Sequence, residues 1–415
     1  MDSLTPSQLN GYNIIIAGYN AFITGDAGTG KSFLLKKIIE YFEARELNVL
    51  ITAPTGIAAL NIDGSTIHRT FKIPTRPLIG RPGAVRDEIK MADVIIIDEI
   101  SMCRIDLFDY VSQQILRANE FRRHRGKRDI QLIVVGDFFQ LPPVITDRDR
   151  DVLTAVYGDG LGDGYAFQSR FWNTFNFQNI VLREVVRQSD RDFVYWLNQA
   201  RIGNVRSLDY FSVCASPTHI NNAIMLCGTN NAANEVNTLE LNKLHTQSVR
   251  YTSEIDGEVR ESDKMTSDVL ELKVGARVMT LVNDADDRYR NGSFGTITKL
   301  KNDCVTVEID GWGTVDIEYY TWDIIDYALV NGVISKRVLG HFTQIPLKVA
   351  YAITIHKSQG QTYEAVNLNP YCWDKGQLYV ALSRCKSVQN MYLTNRLQYR
   401  FLVTSQVVKE FYYSL

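Results

Sequence analysis

Ala21-Phe22-Ile23-Thr24-Gly25-Asp26-Ala27-Gly28-Thr29-Gly30-Lys31-Ser32 is the stretch on which the reading of this chain turns. A short apolar run stops at Gly25, and Gly25 to Ser32 fit the phosphate-binding pattern G-x-x-x-x-G-K-[ST]. Gly25, Gly28 and Gly30 let the backbone come close to an anion and aim its N–H groups at it, with Thr29 inside the same loop. The helix that follows is predicted from about Lys31 to Ala44, because Leu34, Leu35, Ile38, Ile39 and Phe42 recur at helical spacing. Its positive dipole end then faces the phosphates. Lys31 reaches the β- and γ-phosphates and Ser32 can ligate Mg²⁺, so ATP and Mg²⁺ are the expected cofactors.

Working outward, Ala21–Thr24, Val49–Ala53, Val94–Asp98, Gln131–Gly136 and Ile180–Leu182 read as buried strands. They are short, β-branched and uninterrupted, as a parallel sheet covered on both faces requires. Strand–loop–helix repetition predicts a doubly wound α/β domain. The run Val94-Ile95-Ile96-Ile97 delivers Asp98 and Glu99 at its carboxyl end, where α/β sheets bind ligands. Asp98 is expected to hold the magnesium, directly or through water, and Glu99 to act as general base on the attacking water. A further strand ends in Gly136-Asp137-Phe138-Phe139-Gln140-Leu141-Pro142-Pro143. Gln140 could sense the γ-phosphate there, or the segment could be a plain turn.

In the second half, Ile224–Gly228 reads as a strand and Ala233–Leu244 as a helix. From about Leu272 to Thr343 only short alternating runs and turns appear, which predicts hairpins of a small β-barrel. The α/β pattern resumes at Val349–Thr354, Ala365–Leu368 and Met391–Thr394. Pro74, Pro77 and Pro82 forbid a regular helix across Phe71–Ala84, which is a candidate small insertion.

Composition sets bounds. The chain has 415 residues, 45 % of them hydrophobic and 22 % charged, as in ordinary globular domains rather than disordered chains. No apolar run approaches a membrane span, and MDSLTPSQLN lacks the basic region of a signal peptide. The six cysteines are scattered without a CxxC pair, which argues for a reducing compartment and against zinc or an iron–sulfur cluster. Asn291-Gly292-Ser293 reads as a hairpin turn rather than a glycosylation site. Net charge is −2. A protein that coats nucleic acid is usually basic, whereas a motor needs only a local track that it can release. Arg117, Arg122, Arg123, Arg125, Lys127 and Arg128 form one basic cluster, either a solvated loop or a phosphate-contacting patch.

GDAGTGKS, ITAPTGIAALNI, STIHRTF, IIIDEISM, VVGDFFQLPPV, VVRQSD, ITIHKSQGQT and QLYVALSRCKS occur in this order between Gly25 and Ser387. With these segments the chain resembles the Pif-type (petite integration frequency) 5′-to-3′ DNA helicases of superfamily one, in the B-type branch shared with RecD-type helicases. The resemblance implies two RecA-like parallel-sheet domains in tandem: residues 1–185, with a short wedge insertion at 71–85, then 186–270 with 344–415. The inserted barrel spans 271–343. It also implies ATP-dependent translocation on single-stranded DNA and work at single-strand/double-strand junctions, in a family tied to DNA repair, recombination and telomere maintenance.

Individual residues take roles by the same resemblance. Gln8, in LTPSQ, matches the glutamine that reads adenine. Arg187 and Arg384 match arginines that the second domain points at the γ-phosphate, a task suited to a permanently charged, forked guanidinium. Gly360 joins the nucleotide contacts. Pro54, Thr55, Thr66 and His68 from the first domain, and Thr354, His356, Lys357 and Ser358 from the second, match strand-binding motifs. Hydroxyl and imidazole groups can bond phosphate without gripping it. His68 and His356 could instead be satisfied core histidines. Phe71 could stack on a base or belong to the core, and Asn230 could contact the backbone of the strand. The basic run Arg122–Arg128 departs from the family pattern.

The expected protein is a cytoplasmic, nucleoid-associated DNA helicase, monomeric without DNA. Other readings are a translocase that strips proteins without unwinding, a protein-remodelling ATPase, or a motor on RNA. A remodelling ATPase has no reason to carry ITIHKSQGQT, whereas a stripping translocase shares every motif.

Overall fold

The structure is a computed structural model. It describes residues 4–74, 77–78, 80, 82–186, 190–286, 288–330 and 333–415, with the side chains of residues 57, 262, 329 and 330 left aside. Its first sheet holds β1 (Ala21–Gly25), β2 (Val49–Ala53), β3 (Ser65–Thr66), β4 (Val94–Ile97), β5 (Gln131–Val135) and β6 (Gln178–Leu182) in the order β3-β2-β4-β5-β1-β6. All pairs are parallel, and Ala21 of β1 sits between Ile133 and Gln178. The five residues of β1 are all buried, which explains why its sequence is apolar without alternation. Helix α1 spans Pro6–Ile16 and helix α2 spans Lys31–Glu43. Leu34, Leu35, Ile38 and Phe42 of α2 are buried against Ile96, Ile133 and Val135 of the sheet. Each such side chain contributes about 1.5–3 kcal/mol.

A second parallel sheet orders its strands Ala352–Thr354, Ile224–Cys227, Val366–Leu368 and Met391–Leu393. The β region between its first two strands in the chain is larger than 271–343. Ser248–Thr252 pairs with Val269–Lys273, Glu254–Gly257 pairs with Val333–Gln344, and Leu347–Val349 closes a five-stranded antiparallel sheet beside Arg277–Thr280. The early strands are hidden in the sequence because Glu254–Gly257 is exposed throughout and Ser248–Thr252 has only Val249 and Tyr251 in alternation. Asn291 and Gly292 form a turn before the strand Phe294–Leu300.

The long hairpin of Tyr320–Val330 and Val333–Gln344 leans on the first domain. The Tyr327 hydroxyl donates to the Ile51 carbonyl at 3.1 Å and accepts from the Ile51 N–H at 3.2 Å. Arg86 forks onto the Asp326 carboxylate, and Asn48 accepts from the Ile334 N–H. Tyr327→Phe deletes both hydroxyl bonds and leaves a buried strand edge short of partners, so a loss of about 1–3 kcal/mol is expected in urea melts.

The C-terminal helix Gln406–Tyr413 belongs with the first domain rather than the second. Phe411 stacks on Phe167 at 4.2 Å and meets Phe138 at 5.6 Å and Trp172 at 5.8 Å. Its neighbour Tyr412 bonds Thr24 of β1 at 2.5 Å.

The basic run is structural where its partners are seen. Arg122 is 3 % exposed and pairs with Asp93 at 2.8 Å, Arg123 pairs with Asp129, and Arg117 donates to the carbonyls of Pro82 and Gly83. The candidate wedge at 71–85 is described only in part, since residues 75, 76, 79 and 81 lie outside the described residues. Leu78 N–H is held by Asp106, so the described portion is tied to the helix Ile105–Arg123. Among the described residues no helix is long and apolar enough to cross a membrane.

Candidate nucleotide and strand-binding site

The phosphate loop joins β1 to α2. Gly30 caps α2 in the left-handed region (φ 77°), and a Cβ there would fall 2.5 Å from Gln8 Nε2, so both backbone and space demand glycine. Gln8 itself is 2 % exposed. Its amide donates to the Thr29 carbonyl at 3.0 Å and accepts from the Thr5 N–H at 3.0 Å, which ties the start of α1 to the loop. The Lys31 ammonium folds back onto the carbonyls of Gly25 (2.8 Å) and Asp26 (3.1 Å). Burial pulls its pKa below the ordinary lysine value, while Asp137 and Glu99 act the other way.

Asp98 and Glu99 follow β4. The Asp98 carboxylate accepts from the Glu99 N–H at 2.9 Å, and Glu99 sits in the left-handed region (φ 50°, ψ 46°). A non-glycine residue held there stores strain of about 1–3 kcal/mol, a feature that clusters at functional sites. Burial, then the neighbouring Glu99 charge, push the Asp98 carboxyl up to about 7. Burial also raises Glu99, against the pull of Lys31 and Arg384.

Residues from the second domain complete the site. Gln359 Nε2 lies 2.9 Å from Glu99 Oε2 and 3.5 Å from Gln140 Oε1, so Gln140 is within the constellation rather than in a remote turn. Arg384 is 2 % exposed and is turned onto its own domain. It donates to the carbonyls of Ser358 (3.1 Å), Gln361 (3.0 Å) and Val380 (2.9 Å), although its charge still reaches Glu99. The open reach toward a phosphate expected for it is therefore replaced here by a clamp on the loop 358–361. Arg187 lies outside the described residues.

Two clefts organise the rest. One, of about 1260 Å³, is lined by Ser32, Asp98 and Glu99 together with Lys348, Lys357 and Gly360. The other, of about 680 Å³, is lined by Pro142 and Pro143 on one side and by Asn230, Thr354, His356 and Lys357 on the other. Lys357 borders both. His68 and His356 are half-buried, and burial lowers the pKa of each below the ordinary imidazole value. Thr55 and Thr66 cap short helices through their hydroxyls, accepting from Ala58 and Arg69 N–H groups, and Pro54 is half-buried beside Thr55. Thr66 lines neither cleft but borders a small cavity with Trp322 and Ile324 of the long hairpin, next to the larger cleft that Trp322 also lines.

Two expectations are corrected. Phe71 is 3 % exposed within the main hydrophobic core, and a ring packed on its faces has none left for a base. Ser358 is fully buried, and its hydroxyl donates to the Ile355 carbonyl at 2.7 Å, so it shapes the turn instead of meeting the strand.

Several functional contacts had no signal of their own in the sequence. Arg201 pairs with Asp137 at 2.8 Å and with Asp26 of the phosphate loop at 3.2 Å. The Tyr379 hydroxyl accepts from the Ala27 N–H at 3.0 Å, another grip on that loop from the second domain. Both Tyr379 and Gln359 lie inside segments already singled out, but the spacing does not mark which side chain turns toward the first domain.

Comparison with known proteins agrees with this geometry. The profile of the family described as PIF1-like helicase matches residues 4–210. The ATP-dependent DNA helicase Pif1 of Campylobacter jejuni subsp. jejuni is 30 % identical over 428 residues, covering 93 % of this chain and 92 % of that protein. The crystal structure of Bacteroides sp Pif1 in complex with ADP-AlF4 superposes with a TM-score of 0.85 at 31 % identity, covering 100 % of this chain and 97 % of that one. Bacteroides Pif1 bound to ssDNA gives a TM-score of 0.71 at 31 % identity, with the same coverage of 100 % and 97 %. The similarity thus runs along nearly the whole length of chain and fold, and the chain belongs to the PIF1-like helicase family.

Proposed function

We propose that this chain couples ATP hydrolysis to 5′-to-3′ movement along single-stranded DNA and unwinds duplex DNA ahead of it. The observation that carries the reading is the shared cleft. Ser32, Asp98 and Glu99 of the first domain face the same space as Lys357 and Gly360 of the second, and Lys357 also lines the groove toward Asn230 and Thr354. A ligand in one cleft and a strand in the other therefore bear on the same segment. Relatives solved with ADP-AlF4 and with ssDNA support both halves of the reading. The direction of travel rests on the family resemblance alone.

In this mechanism ATP binds the loop Gly25–Ser32, and Lys31 swings from the loop carbonyls to the β- and γ-phosphates. The Ser32 hydroxyl and Asp98 carboxylate form a donor set that suits Mg²⁺, which takes one or two carboxylates and fills its remaining positions with water and phosphate oxygens. A dication beside Asp98 also removes the cost of ionising a carboxyl pushed up to about 7. When bound, the ion neutralises charge developing on the phosphates. Glu99 accepts the proton of the attacking water, and closure of the cleft brings the second domain's groups to the γ-phosphate.

The test is ATP hydrolysis with and without a single-stranded oligonucleotide at fixed salt, then unwinding of duplexes with 5′ or 3′ tails. Strand-stimulated turnover with unwinding of 5′-tailed substrates is expected. Stimulation without unwinding would leave a translocase, and equal rates would overturn the coupling. Lys31→Ala is expected to lower turnover by about 10²–10³-fold, as loss of a phosphate-stabilising donor does, with the melting temperature little changed. Phosphate-release assays check it.

Lys348 adds a pH signature. Burial, then the Lys357 charge, lower its pKa to about 8. Phosphates in the cleft favour the protonated form, which prevails below that pH. Affinity for a fluorescent ATP analogue is therefore expected to fall between pH 7 and 9 at constant ionic strength, and Lys348→Met to flatten the dependence, as read by fluorescence anisotropy.

A further inference from the structure

Gln359 is the one side chain of the loop after Thr354 that reaches the hydrolytic carboxylate. It is 8 % exposed, and its Nε2 donates to Glu99 Oε2 at 2.9 Å. A carboxylate only accepts, so the NH₂ end must face Glu99, and this fixes the orientation of the amide. Its other end, Oε1, is buried and has no hydrogen-bond partner among the described residues. A buried amide oxygen left without a donor is costly, and its retention calls for an explanation such as a ligand that completes it.

The loop around Gln359 is held on both sides. Arg384 grips the carbonyls of Ser358 and Gln361. Upstream, the Thr354 hydroxyl accepts from the Lys357 N–H at 3.3 Å, and the Ser358 hydroxyl is bonded to the Ile355 carbonyl. Thr354, His356 and Lys357 line the groove between the domains, so the segment that faces the groove leads directly into the residue that holds Glu99. Glu99, in turn, sits on strained left-handed backbone and gains a fixed side-chain position from this contact.

We infer that Gln359 is a positioning residue that ties occupancy of the strand groove to the water attacking ATP. Its NH₂ orients the Glu99 carboxylate, and its vacant Oε1 accepts the hydrogen of the water that is not transferred. In the step itself the water oxygen bonds to the γ-phosphorus, the bond from that phosphorus to the ADP oxygen breaks, and the leaving electron pair stays on ADP. The water's other proton passes to Glu99. A strand pressing on Thr354–Lys357 sets the place of Gln359, and hence the alignment of base and water. This inference rests on the reading of the chain as a strand-stimulated ATPase.

Gln359→Ala and the length-matched Gln359→Met are the test variants, assayed for kcat and KM of ATP hydrolysis with saturating oligo(dT), for oligo(dT) affinity, and for melting temperature. Strand-stimulated kcat is expected to fall about ten- to a hundredfold, the scale of a lost hydrogen bond to a charged group. The KM for ATP and the oligo(dT) Kd are expected to move less than about threefold, since neither ligand is bound mainly through this group. If Gln359 acts through Glu99, adding Gln359→Ala to Glu99→Gln lowers the residual rate little further, a non-additivity that a merely structural role does not produce. Wild-type kcat in both variants, fully additive losses, or parallel rises in KM and Kd with a lowered melting temperature would each overturn the assignment. A wild-type chain whose hydrolysis ignores oligo(dT) would instead sink the functional reading on which it rests.

Discussion

Glu99→Gln is expected to lower ATP turnover by about 10²–10⁴-fold, the usual contribution of a positioned general base, while ATP and oligonucleotide binding persist. The substitution is isosteric and keeps a polar contact to Gln359, so the geometry of the loop is preserved and the loss is chemical. Stability should not suffer. Burial raises the Glu99 pKa in the folded chain above its unfolded value. The folded state thus holds its proton more tightly, and stability falls as pH climbs through the unfolded carboxylate pKa toward the raised one. At neutral pH the neutral amide avoids that penalty and the repulsion with Asp98, and a melting temperature equal to or above wild type is expected. A variant that turns over ATP at the wild-type rate would remove Glu99 from its role. A variant that melts far lower would mean that the carboxylate is structural.

The second large effect is on the fold. Arg201→Met is expected to destabilise the chain by about 3–5 kcal/mol, because it leaves a buried carboxylate without its cation. Arg201 forks onto Asp137 at 2.8 and 3.1 Å and lies over the rings of Phe139 (4.3 Å) and Tyr412 (5.0 Å). Burial works to raise the Asp137 pKa, yet Arg201, with Lys31 adding to it, holds that carboxyl below the ordinary range. The pair's stabilisation is therefore complete above the unfolded aspartate pKa and is lost as pH falls toward the depressed value. In Arg201→Met burial is opposed only by Lys31 and the Phe139 N–H, so the Asp137 pKa should rise and the deficit should shrink at acid pH. Asp137→Asn added to Arg201→Met should recover part of the loss at neutral pH. Urea melts at pH 5 and 7 measure both. Because Arg201 also pairs with Asp26, the single variant should weaken nucleotide binding as well.

Much of this was legible beforehand for a physical reason. Strands buried on both faces must be continuously apolar, so β1, β2, β4 and β5 stood out, and a phosphate loop has few alternatives to glycine. What stayed hidden lies where one chain segment serves another. Glu254–Gly257 is exposed, and Ser248–Thr252 alternates only through the half-buried Val249 and the buried Tyr251, too short a period to mark a strand. Arg201 ends an amphipathic helix, Arg191–Arg201, where an arginine ordinarily faces solvent. Phe71 and Ser358 sit inside strand-binding segments, yet burial gives them to the core and the turn. The side Gln359 faces depends on the turn His356–Ser358 before it, which spacing alone does not encode.

The place of the last helix also bears on how the protein is made. Synthesis runs from the N-terminus, and β1 to β6 are complete by Leu182. The aromatic cluster beneath that sheet, with Phe22, Phe138, Phe167 and Trp172, nevertheless takes Phe411 as one of its members, and Asp137 takes Tyr412. A nascent chain that has released only its first half carries a sheet whose apolar underside is still open. Closure of that core waits until residues 406–413 have been made, over long-range contacts whose loop closure slows that step.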